Sequence, residues 1–95
     1  MENLVVGQRV VLGKAMLGEP VGSIGYVYEE YTDFDGSENS AVSIIFMNGV
    51  YDGFSAKEQE LFLTPLEVDS RYTMYEFKNV NQVYRDYKNG YWKFK

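Results

Sequence analysis

Four Asx-Gly pairs cut this chain into short pieces: Asp35-Gly36, Asn48-Gly49, Asp52-Gly53 and Asn89-Gly90. Such pairs suit backbone at positive φ, because glycine lacks the Cβ that penalises that region and Asn or Asp bonds to nearby backbone. The runs between them are rich in Val, Ile, Tyr and Phe, which fit the pleated, half-buried surface of a strand. Leu4 to Leu12 reads as a first strand with Gly7 as a bulge, and Ser23 to Tyr31 as a second. Ala41 to Met47 reads as a third, in which Val42, Ile44 and Phe46 share one face by the two-residue period. Asn48-Gly49 is the strongest hairpin signal and leads into a fourth strand, Val50 to Phe54. Gly13 to Gly22 and Thr32 to Ser40 read as loops. Ser55 and Glu58 have the spacing of a capping box, which predicts one helical turn over Ser55 to Glu60. Leu61 to Leu66 reads as a fifth strand, confined by Pro65 to an edge or a strand end. Five short strands with strong turns predict a mainly β fold, a small five-stranded barrel over residues 1–69.

Residues 70–95 follow another pattern. Arg71 to Phe77 is β-prone, while Val80, Val83, Tyr84 and Tyr87 recur at helical spacing. Asn79 suits the N-cap of a short helix and Gly90 its C-terminal stop. Tyr91 to Phe94 reads as a returning strand or a docking segment. No repeat or linker separates the two parts, so the whole is one domain: a barrel with a basic, aromatic C-terminal extension packed on it.

Charge divides along the same line. Residues 1–69 hold twelve acids against three bases, a net −9, and residues 70–95 hold two acids against six bases, a net +4. The contrast has two readings: the basic end packs on the acidic body, or it serves a partner. The 95 residues include no cysteine and no histidine. Disulfides, thiolate nucleophiles and Fe–S or zinc sites are therefore not expected, nor is the usual acid–base group of neutral pH. No apolar run approaches the roughly 20 residues of a membrane span, and Met1-Glu2-Asn3 opens no signal peptide. A cytoplasmic protein that does not enter a membrane is expected.

The order of the pieces resembles the Src-homology-3-like small barrels, particularly those with a KOW-type opening. Gly7-Gln8-Arg9-Val10-Val11, Gly22-Ser23-Ile24-Gly25-Tyr26-Val27 and Val42-Ser43-Ile44-Ile45-Phe46-Met47-Asn48-Gly49 carry the likeness. Glu60-Leu61-Phe62-Leu63-Thr64-Pro65-Leu66 is similar to the last strand of small bacterial and phage barrels of this type. The resemblance spans roughly residues 4–66 and implies a fold more than a function. KOW modules that bind ribosomal RNA are usually basic, whereas residues 1–69 are acidic.

Three sets of side chains are candidates for function, all non-enzymatic. Tyr28, Tyr31, Tyr51 and Phe54 would line an aromatic, acid-rimmed surface for another protein, or would cover a thin core. Tyr26 and Tyr28 share a face, and Tyr31 joins them only if a bulge intervenes. Arg85, Lys88, Lys93 and Lys95, interleaved with tyrosines, suit single-stranded nucleic acid, where cations meet phosphates and rings stack on bases. Glu29, Glu30, Asp33, Asp35 and Glu38 would form an anionic row in a decoy of a nucleic-acid-binding protein. Asp33, Asp35 and Ser37 alternate like the first ligands of an EF-hand, but Glu38 and Ile44 stand where its glycine and bidentate carboxylate belong. No metal, cofactor or catalytic residue is expected: paired carboxylates on a strand point to opposite faces, and no histidine activates Ser or Thr.

Overall fold

A computed structural model describes residues 4–15, 18–32 and 40–94. Among them, alternating apolar runs become five strands: β1 (Gln8–Leu12), β2 (Ile24–Thr32), β3 (Ser40–Phe46), β4 (Tyr51–Phe54) and β5 (Leu63–Val68). They form one antiparallel sheet in the order β4-β3-β2-β1-β5. β1 to β4 is a meander, and β5 returns to pair with β1, with Leu12 opposite Leu63. β4 and β5 are the two edges and do not pair, so the sheet is open rather than a closed barrel. The helix α1 (Ala56–Phe62) links these edges. Its capping box is complete: Ser55 Oγ accepts from Glu58 N at 3.2 Å, and Glu58 Oε1 accepts from Ser55 N at 2.9 Å. The helix runs through Phe62, past the single turn expected, and β5 therefore begins at Leu63 rather than Leu61.

The two-residue period sends side chains to two faces, and each carries a buried cluster. On one face Val10, Leu12, Val27, Val42, Ile44, Phe46, Phe54 and Leu63 pack with Leu4, which the alternation of β3 anticipates. On the other, Tyr26, Tyr28 and Ile45 pack with Tyr72, Val83 and Trp92 from the C-terminal segment. Gly7 joins the layers. Its φ is +91°, and a Cβ there would stand 2.8 Å from Thr73 N, so the chain beyond β5 can lie against it only because the side chain is missing.

The C-terminal segment covers the second face without adding a strand. The β-prone stretch from Arg71 forms a 3₁₀ turn, η1 (Ser70–Tyr72), and then irregular backbone. Its rings dock instead of pairing, because β1 and β3 already occupy both sides of β2. Helix α2 (Val80–Lys88) begins at Asn79, whose side chain accepts from Gln82 N at 2.9 Å, and stops at Gly90 with φ +78°. The stripe expected on it docks only in part: Val83 is buried, while Val80 and Tyr84 remain exposed. Residues 91–94 return as a docking segment rather than a strand.

Tyr26 is the centre of this layer. Its ring stacks on Trp92 at 5.7 Å and meets Tyr72 edge-on at 4.8 Å. Its hydroxyl donates to Lys93 O at 2.6 Å and lies 3.0 Å from Asp69 Oδ2. Burial, and then the bond to Asp69, push the Tyr26 phenol up to about 12. The Arg71 guanidinium, bonded to both Asp69 oxygens, holds that carboxyl down at about 2. Trp92 Nε1 is buried with no acceptor among the described residues.

Candidate functional site

The candidate tyrosine surface is decided by one irregularity in β2. Val27 lies opposite Ile44 and Glu29 opposite Ser43, so Tyr28 is an extra residue, a bulge. Before it, Tyr26 pairs with Ile45 on the second face, and Val27 points to the first. After it the alternation restarts one residue out of step. Glu29 and Tyr31 therefore lie on the same face as Tyr26 and Tyr28, which uninterrupted alternation would have denied to Tyr31. Tyr51, opposite Ile45, faces the same way from β4.

Within the proposed set, burial separates two pairs. Tyr28 is buried against Phe77, ring centroids 5.1 Å apart, and burial pushes its phenol up to about 12. Phe54 is buried on the opposite face against Phe46. Neither reaches a partner, because the C-terminal layer covers the first and the sheet's own core encloses the second. Tyr31 and Tyr51 stay at the surface, 39% and 42% exposed. The Tyr31 hydroxyl lies over Gly53 of β4, 2.6 Å from where a Cβ at that position would stand. Asp52-Gly53 is thus a strand site rather than a turn, and the glycine leaves room for the neighbouring phenol, which a larger residue would push aside. Glu29 borders the patch, its Oε1 accepting from Ser43 Oγ at 3.0 Å.

Two signals for this arrangement were present in the chain. Consecutive carboxylates at Glu29-Glu30 break the apolar alternation where the bulge falls, and a glycine inside a strand marks a close approach. Their consequence, that Tyr31 and Gly53 meet, needed the register.

The anionic row does not assemble from its described members. Glu30 accepts from Val6 N at 3.0 Å, whereas Glu29 accepts from Ser43 on β3. Asp33, Asp35 and Glu38, with the EF-hand-like Ser37, lie outside the described residues, as does Lys95. Of the remaining basic candidates, Arg85, Lys88 and Lys93 are exposed on the C-terminal segment. Among the described residues the ion pairs are Arg9–Glu67 and Arg71–Asp69. Docking of the basic end on the acidic body therefore runs through rings and phenol hydrogen bonds, with Arg71 paired to a carboxylate two residues away.

No cavity is found among the described residues, nor any group of three or more carboxylates placed to hold a metal ion. No described helix is long and apolar enough to cross a membrane. Comparison with protein-family models, curated proteins and solved structures finds no match to this chain.

Proposed function

We propose that this chain is a small, non-enzymatic binding module of the Src-homology-3-like barrel type that engages another protein through Tyr31 and Tyr51. The observation that carries this reading is the bulge at Tyr28, which turns Tyr31 onto the face of Tyr51 beyond the cover of the C-terminal segment. Two half-exposed tyrosines on neighbouring parts of one sheet are a preformed surface. Each ring offers apolar area, and each has only two side-chain torsions to immobilise. Tyr28 and Phe54 serve the fold instead, on the layers beneath. The meander of four strands with β5 returned to β1 supports the small-barrel reading in its strand order, with the sheet left open between β4 and β5.

The test is comparative capture from the native host, with the intact chain and its Y31A/Y51A variant as baits of matched thermal stability. A protein retained by the intact chain and released by the double variant, then bound directly in purified form, is the expected result. Equal retention by both baits refutes the assignment to these tyrosines.

A further inference from the structure

We propose that the outward side of α2 is a second binding surface, one that takes single-stranded nucleic acid. The helix carries one carboxylate, and that carboxylate is turned away: Asp86 Oδ2 accepts from Tyr75 Oη at 2.7 Å. Val83 fixes the buried side of the helix. On a 3.6-residue turn, Tyr84, Lys88, Arg85 and Asn81 then occupy the side away from it. Arg85 and Lys88 are exposed, and neither forms an ion pair among the described residues. Three residues apart on a helix, they project as neighbours with about 5–6 Å between their Cβ atoms. They are unneeded for docking, which the rings accomplish.

The ring beside them has firm support. Tyr84 is 44% exposed and stacks on Tyr87, with centroids 6.2 Å apart and planes 23° from parallel. Tyr87 is itself fixed, its hydroxyl donating to Met47 O at 3.2 Å and its ring lying over Gly49 of the β3–β4 turn. The Lys88 ammonium rests 5.3 Å from the Tyr84 ring centroid. A phosphate that draws Lys88 off this ring frees it for a base, so charge and stacking act in one event. The surface is a narrow strip, with a body of net −9 over residues 1–69 beside it. A thin, flexible polyanion can meet such a strip, whereas a duplex would bring its second row of phosphates to the acidic body. An acidic peptide would use the cations and leave Tyr84 idle.

Fluorescence anisotropy of the full chain with a labelled random single-stranded 12-mer tests this. Two phosphate contacts give a log–log salt slope of roughly −1.4, so affinity falls about sevenfold between 50 and 200 mM salt. Y84A weakens binding by about tenfold and Y84F leaves it unchanged, as stacking requires. R85E/K88E abolishes it, with R85Q/K88Q as the substitute if charge reversal lowers the melting temperature. The proposal is overturned by absence of binding at 50 mM salt, or by binding indifferent to the charge variants. Binding unaffected by Y84A but displaced by a glutamate 12-mer overturns it too, and would assign the strip to an acidic protein.

Discussion

Removing one oxygen, in Tyr26→Phe, tests how the C-terminal segment is held. The phenol is fully buried, and its single proton serves Lys93 O at 2.6 Å, with Asp69 Oδ2 beside it at 3.0 Å. Asp69 keeps its three bonds from Arg71 in the variant, through N, Nε and Nη2. The Lys93 carbonyl loses the donor given by Tyr26. Leaving this part-buried acceptor without its donor costs about 1.5 kcal/mol, toward the lower end of the ~1–3 kcal/mol of an unmet buried group. For a domain of this size that lowers the melting temperature by roughly 10 °C. Trp92 is the only tryptophan, and its ring stacks 5.7 Å from Tyr26, so its fluorescence reports the segment while far-UV circular dichroism reports the sheet. Thermal and urea unfolding by both probes should give coincident transitions, shifted together in the variant. A shift below 2 °C refutes the role given to the hydroxyl. Separation of the two probes refutes the segment as part of one cooperative unit.

Three further outcomes follow from the same geometry. In urea unfolding, Tyr28→Ala and Phe54→Ala should each cost ~3–5 kcal/mol, as buried rings do, and Tyr31→Ala and Tyr51→Ala less than about 1 kcal/mol. Ser55→Ala should cost about 1 kcal/mol through loss of the capping box, read by the same assay and without change in the urea dependence of unfolding. Tyr26 and Tyr28 are both held near 12 when folded, against 10 for the free side chain. A raised folded value means that the stabilisation is complete below pH 10 and is lost as pH climbs through 12. Melting temperatures measured from pH 8 to 12 should therefore fall above pH 10, and less steeply in Tyr26→Phe.

Where a local rule governed a local feature, the chain was legible. Ser55 with Glu58, Asn79 as N-cap and Gly90 as stop each involve residues within one turn of helix, where contact follows from spacing alone. Val42, Ile44 and Phe46 share their face because no bulge interrupts β3. Boundaries moved where a neighbour competed, as when α1 extended through Phe62 and shortened the expected fifth strand. The β-prone stretch from Arg71 failed to pair for want of a free strand beside the face it covers. The candidate site was half legible. All its tyrosines were in view, yet only burial divides Tyr31 and Tyr51 at the surface from Tyr28 and Phe54 within.

By itself, the sequence determined a mainly β domain punctuated by Asx-Gly pairs, with one short helix capped at each end near its C-terminus. It also determined the split of charge, −9 against +4, and the absence of thiol and imidazole chemistry. Local spacing and composition suffice for those. Only the tertiary structure decided that the sheet stays open, that a bulge brings Tyr31 round to Tyr51, and that the basic end docks by its rings. Each of these depends on register or on contacts between residues far apart in the chain. A single inserted residue in a strand moves every later side chain to the other face, so a one-residue shift at Tyr28 determines which tyrosines meet solvent.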